Sequence, residues 1–421
     1  MAKVKIQGNA SGTGVLTVTA PNTSTDRTIT LPDSSGTILD STSTLDATKL
    51  SGDLPAISAA SLTNVPKDVT VGGRKNMLYN GDMRVAQRGT SFDSGTSTIY
   101  TLDRWRNAIG SSFNLDTTIT QSTTVPSGEG FKYSLKVEAD SVVSTSSGQN
   151  GGIMQILESQ DVQRLAYGTS NAKSLTLSFW TRSNKTGTYC VQLQTNIGNS
   201  TSSNRYSHIK EYTINSANTW EKKTLTFSGH TGQAIDSADT NDALRINWWL
   251  ASDAADNQTA NTWNQVASFG STSNQVNFMD SASNEWYLTG CQLEVGTTAT
   301  DFEYKTYGEE LALCQRYYQE VHRAMVLSGY QNGSSQVLIS FPLTCALRAA
   351  PSVSYSQSNI PAAQAASPDF STYNYSSLAS YDWTFNNPIT SVSMNLSGWN
   401  GNDDDACFIW ANNTMSFDSE L

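Results

Sequence analysis

Apolar and polar positions alternate with a period of two through much of residues 76–304. Leu175, Leu177 and Phe179 share one face of an extended run, with Thr176, Ser178 and Trp180 opposite. Leu244, Ile246, Trp248 and Leu250 likewise oppose Arg245, Asn247 and Trp249. Phe131, Tyr133, Leu135 and Val137 oppose Lys132, Ser134, Lys136 and Glu138. Residues 189–194, 225–227 and 286–293 read as further strands. Half-buried strands joined by Ser/Thr/Asn/Gly connections, with no helices between them, predict an antiparallel sandwich rather than a βαβ fold. About 230 residues is generous for one sandwich, so long loops are expected, 251–262 among them.

The pattern changes on both sides of this region. Residues 1–75 alternate Thr-rich β runs with Pro-Asn and Pro-Asp turns, and their apolar residues are too sparse to close a core. Leu50, Leu54, Ile57 and Leu62 are expected to face a shared axis or a docking surface. After the strands, residues 308–323 carry acids in the first turn and His322 and Arg323 in the last, which predicts a helix with a Leu311/Cys314/Tyr318/Val321 stripe. Residues 325–421 return to β-type sequence. The reading is an all-β fold: an extended N-terminal β thread (1–75), a jelly-roll-like antiparallel β-sandwich (76–305), one short connecting helix (306–324) and a C-terminal acidic β domain (325–421).

Composition narrows the function classes. Charged residues make up only 15% of the 421-residue chain, with Ser, Thr, Asn and Gly in their place, as in extracellular or virion β proteins. No apolar run reaches the roughly 20 residues of a membrane span, so membrane insertion is not expected. Net charge is −11, and residues 351–421 hold seven acids and no Lys, Arg or His, which disfavours nucleic acid as a partner. The five cysteines show no C-x-x-C spacing and read as free thiols; the three histidines are scattered without ligand spacing. There is no G-x-S-x-G, H-E-x-x-H or P-loop motif, and the expectation is a protein without catalysis.

Several stretches resemble bacteriophage tail-fibre and virion-appendage proteins. Residues 13–37 and Leu50-Ser-Gly-Asp-Leu-Pro-Ala-Ile-Ser58 are similar to their N-terminal and shaft segments. Residues 76–320 resemble the carbohydrate-binding-module-like sandwich often found there, through Asn80-Gly-Asp-Met-Arg-Val-Ala-Gln-Arg88, Leu102-Asp-Arg-Trp105, Gln292-Leu-Glu-Val-Gly296 and the run from Phe302 to Tyr318. Leu347-Arg-Ala-Ala-Pro-Ser-Val353 looks like a C-terminal fibre signature. The resemblance implies a structural virion protein, often trimeric, assembled in the host cytoplasm. Its partners would be its own copies, other virion proteins through the N-terminus, and a host-surface glycan. A tail fibre engaging the host surface is the leading expectation. A capsid fibre or decoration protein and a polysaccharide-degrading tailspike are the alternatives.

Sugar recognition needs flat aromatic faces beside amides and carboxylates. Trp249, beside Arg245 and Asn247 on the polar side of its strand, and Trp180 fit that need in the sandwich. Tyr373, Trp383 and Trp399 fit it near the C-terminus. Asn80, Asp82, Glu129, Glu138 and Glu294 are oxygen ligands in regions where related sandwiches hold structural Ca²⁺. No cofactor is otherwise required.

Overall fold

The alternating runs form strands where the pattern puts them. Along the chain come β1 (Ser91–Asp93), β2 (Arg106–Gly110), β3 (Thr117–Ser122), β4 (Ser134–Ala139), β5 (Asn150–Glu158) and the one-turn helix α1 (Ser159–Val162). Then follow β6 (Leu175–Ser183), β7 (Gly187–Thr195), β8 (Tyr206–Ile214), β9 (Glu221–Phe227), β10 (Asp242–Ser252), β11 (Trp263–Gln265) and β12 (Glu285–Val295). They pair into two antiparallel six-stranded sheets. A front sheet has the order β1-β3-β4-β12-β6-β9, and a back sheet β11-β8-β7-β10-β5-β2. Leu135, Val137, Leu177, Phe179 and Leu288 of the front sheet meet Ile153, Val191, Ile246 and Trp248 of the back sheet in one buried core. Trp248 is its pivot, with Trp105 and Phe179 ring centroids 5.4 and 5.9 Å away. Tilted and edge-on pairs of this kind add to the area they bury.

The computed structural model describes residues 74–421 except 111–112, 146–148, 196–204, 236–239, 255–256, 266–268, 322–324, 332–335, 356–360, 365–371, 375–380, 386–388, 398–405 and 412–414. Of residues 1–73 it describes Ser11 alone, and through most of 325–341 and 355–411 it describes the backbone only. The expected thread, with Leu50, Leu54, Ile57 and Leu62, lies outside the described residues, as does Trp399.

The single expected helix is shorter than its pattern. α2 (Tyr307–Gln315) starts with a capping box, Thr306 accepting from the Glu309 amide while the Glu309 carboxylate accepts from the Thr306 amide. It ends where the aromatic and β-branched residues begin, and Tyr318–Val321 is strand β13. Of the expected stripe, Cys314 is buried in α2 together with Glu310, Leu311 is only half-buried, and Tyr318 is buried but belongs with Val321 to β13.

The last strands are β14 (Met325–Gln331), β15 (Gln336–Leu347), β16 (Ser352–Tyr355), β17 (Pro361–Gln364), β18 (Thr372–Asn374), β19 (Tyr381–Phe385), β20 (Ile389–Ser397), β21 (Ala406–Ala411) and β22 (Met415–Asp418). Seven of them form a sheet ordered β18-β17-β21-β14-β15-β20-β19. The other two, β16 and β22, join β13 in a small sheet ordered β13-β22-β16. Residues 66–421 are one compact unit. The tail of the expected C-terminal domain packs back on the sandwich. Arg104, fully buried, forms an ion pair with Glu420 and lies 3.4 Å from the Tyr317 ring centroid. Arg348 donates to the Ser419 and Glu420 carbonyls, and Leu421 packs on the sandwich core. Buried Arg104 needs an anionic partner, and Glu420, from the far end of the chain, supplies it, while neighbouring Asp103 accepts from Gln87.

Candidate functional site

The motif residues gather into a buried polar junction between the first described segment, β12 and α2. A bulge in β12 between Thr289 and Gln292 turns the Cys291 peptide away from its ladder. The Cys291 amide donates to the Gly81 carbonyl at 2.9 Å, and its carbonyl accepts from Asn76 Nδ2 at 2.9 Å. Gly81 is required there, because a Cβ would stand 2.2 Å from that carbonyl oxygen. Asn80 Nδ2 donates to the Val85 and Asp103 carbonyls, and its Oδ1 accepts from the Val85 amide. Glu310 accepts from the Asn80 amide and Glu303 from the Lys75 and Asn76 amides. The polar side chains of these motifs therefore serve to satisfy buried backbone groups.

Where this junction reaches the surface it opens into a cleft of about 470 Å³. Asp82, Arg84, Gly130, Lys132, Tyr133 and Tyr307 line it. Asp82 is tied to the Arg84 guanidinium, whose Nη1 also donates to the Lys305 carbonyl at 2.9 Å. The Lys132 ammonium is 5.0 Å from the Tyr133 ring centroid. Tyr307, 55% exposed, is the first residue of α2, placed by the Thr306 cap. Beside the cleft Tyr304 is 50% exposed and donates to the Glu129 carbonyl, while its ring joins Phe131 and Phe302 in a three-ring cluster. Burial, then Asp82 and Glu129, pushes the Tyr304 phenol up, so it stays a neutral donor. The cleft thus offers exposed phenol rings, hydroxyl donors and acceptors, and cationic groups.

The residues nominated for sugar contact are not brought together. Trp249 is fully buried, its indole donating to Gln192 Oε1 at 3.2 Å and its ring packed against Phe269 at 5.2 Å. Asn247 is buried beside it on the same Gln192, and Arg245 pairs with Asp242. The alternation assigned these three to the outward face of the back sheet correctly, but the loop around Phe269 and Gln275 covers that face, so they cannot meet a solvent-borne sugar. Trp180 is half-buried on the outward face of the front sheet, against Gly290. Trp383 and Tyr373 lie in β19 and β18, where only the backbone is described.

The five oxygen ligands do not fit a calcium ion. Asn80 is saturated by backbone partners, and Asp82 is held by Arg84. Glu138 pairs with Lys136, and Glu294 accepts from the Thr300 amide and hydroxyl. Glu129 is exposed. Among the described residues the acids that converge are Asp93, Asp116 and Asp140, at the front-sheet edge. Burial raises the Asp140 carboxyl, and Asp116 and Asp93 add to that while Thr118 opposes it.

Sequence reasoning missed Arg84, Lys132, Tyr133, Tyr304 and Tyr307. Tyr133 was assigned to the core face and does pack on the sandwich core, but it is only half-buried and precedes β4, which starts at Ser134, so it also lines the cleft. Tyr304 and Tyr307 carried a usable signal: two aromatics flanking the Thr306 helix cap, where the chain is leaving the sandwich.

No family model matches the sequence, and no curated protein matches it. Solved structures give distant likenesses. An enzymatically active domain of bacteriophage CBA120 tailspike protein 4 matches at 12% identity and TM-score 0.25, over 49% of this chain and 21% of that one. The CBM22-1 xylan-binding domain of Paenibacillus barcinonensis Xyn10C matches at 10% identity and TM-score 0.25, over 54% and 99%. A family 11 carbohydrate-binding module from Clostridium thermocellum, solved with a β-1,3-1,4-mixed-linked tetrasaccharide, matches at 12% identity and TM-score 0.22, over 49% and 94%. At this distance none bears on ligand or reaction.

Proposed function

We propose that the protein is a virion component that binds host-surface glycan through the cleft beside the front sheet, without acting on it chemically. One observation carries the reading: Tyr133 and Tyr307 line an open cleft together with charged groups on a rigid sandwich, and Tyr304 stands exposed beside it. Ring faces can stack on sugar C–H groups while hydroxyl and charged groups take the sugar hydroxyls. Asp82 is the carboxylate among the lining residues, and Arg84 holds it, whereas glycoside hydrolysis needs two carboxylates flanking the bond. The thread-like sequence of residues 1–75 supports attachment to a particle and trimer formation, as in a tail fibre.

The test is adsorption of the full-length protein to host cells and purified surface polysaccharide, compared with Tyr133→Ala and Tyr307→Ala. Each variant should lose roughly tenfold in affinity, about 1.4 kcal/mol; Tyr307→Ala should keep its melting temperature, while Tyr133→Ala, whose ring also packs on the sandwich core, should stay folded with a lowered one. Unchanged adsorption by the double variant would remove the cleft from the account. Sedimentation of the full-length chain against residues 76–421 tests the trimer: the longer protein should be trimeric and the shorter monomeric.

A further inference from the structure

We propose that the cleft selects a saccharide bearing a carboxylate, with the Lys132 ammonium as its anchor; this rests on the glycan-binding reading above. Cations around the cleft and the neighbouring strands are mostly engaged. Arg84 is tied to Asp82, Lys305 to Glu310 at 3.0 Å, and Lys136 to Glu138 and Glu285 at 2.7 and 2.9 Å. Lys132 is exposed, forms no ion pair among the described residues, and its ammonium lies 5.0 Å from the Tyr133 ring centroid. With Asp82 neutralised by Arg84, the lining keeps one net positive charge. That charge stands on a chain whose formal total is −11.

This combination discriminates by placement of charge. A dense polyanion is repelled by the molecule as a whole, while a sugar with a single carboxylate per residue or per repeat can set it on Lys132. The neighbouring Tyr133 ring stiffens the lysine stem by its cation–π contact and presents a flat wall for the pyranose. Tyr307 closes the opposite lining with a ring and a hydroxyl. Uronic-acid and sialic-acid-type units have the required chemistry: a ring with an apolar C–H face and an equatorial or axial carboxylate a few ångströms from it.

The experiment is a binding panel of uronic-acid- and sialic-acid-containing polysaccharides, each paired with its carboxyl-reduced neutral form, read on the full-length protein at 0.15 and 0.5 M salt. The wild type should bind at least one acidic member and lose about fivefold on carboxyl reduction, with the preference shrinking at high salt. Lys132→Gln should abolish the difference within that pair, and Lys132→Glu should reverse it. Lys132 is exposed, so both variants should melt with the wild type. Equal binding of acid and reduced forms, or a preference that survives Lys132→Gln, overturns the acidic-sugar assignment while leaving glycan binding in place. Failure to bind any member of the panel, acidic or neutral, overturns both.

Discussion

The two sheets of the sandwich carry tryptophans on their outward faces, and the two faces have opposite fates. On the back sheet Trp249 joins Ala108, Met154, Ile156, Cys190 and Ile209 in a second buried cluster, under Phe269 and Leu421. Gln275 reaches the Cys190 amide and the Trp249 carbonyl, and Thr272 contacts the Cys190 thiol, so a loop is stitched across it. On the front sheet Trp180, Arg182 and Lys136 stay partly exposed, and the open cleft lies beside it. A period of two tells which face of a strand a residue occupies. It does not tell whether a distant loop will lie on that face.

The comparison can be broken by substitution. Trp249→Ala should cost about 3–5 kcal/mol, as a large side chain removed from a closed cluster, while Trp180→Ala should cost less than about 1 kcal/mol. Denaturant midpoints measured on both variants check this, and similar losses would mean the two faces are equally covered. Arg104→Ala should approach the larger figure, about 3–5 kcal/mol, because it empties a fully buried site, leaves Glu420 to Arg88 alone and loosens the segment that brings Leu421 onto the back sheet.

A smaller effect is expected from the edge of the back sheet, where two of the three histidines meet around Trp263. Its ring centroid is 5.3 Å from His208 and 4.7 Å from His230. Among the described residues, His208 Nδ1, His230 Nε2 and the Tyr167 hydroxyl are buried without a hydrogen-bond partner. Burial, helped by Lys210, holds His208 down at about 4, and burial also lowers His230. A histidine depressed in the fold stays neutral while its unfolded counterpart takes up a proton. Stability is therefore complete above pH 6.5 and falls as pH drops toward 4. Screening at the sheet edge limits the loss to on the order of 2 kcal/mol. Melting curves across that window should show it, and His208→Gln should flatten it; an unchanged slope would place the acid sensitivity elsewhere. Last in size, Thr306→Ala should cost about 1 kcal/mol through loss of the α2 cap and should loosen Tyr307 at the cleft, seen as weaker glycan binding with little change in melting.

The strands were legible because residues such as Leu177, Phe179, Ile246 and Trp248 report local geometry, and so was the presence of α2, from the acids Glu309 and Glu310 in its first turn. The end of α2 was not: Tyr318–Val321 pairs with β22, nearly a hundred residues later, and that partner outweighs helical periodicity. The cleft was illegible for a related reason. Asp82 read as a metal ligand until Arg84 was seen to hold it, and Lys132 and Tyr133 read as strand residues although they precede β4. What the site needs is decided by which segments stop short of a sheet, and alternation does not carry that.

The most direct test is hydroxyl-radical footprinting of the full-length protein with and without a bound host-surface oligosaccharide. Protection should concentrate at Tyr133, Tyr304 and Tyr307, with Trp249 silent in both states because it is already covered. Protection confined to residues 336–411, with the three tyrosines unchanged, would contradict the assignment and move recognition to the seven-stranded sheet.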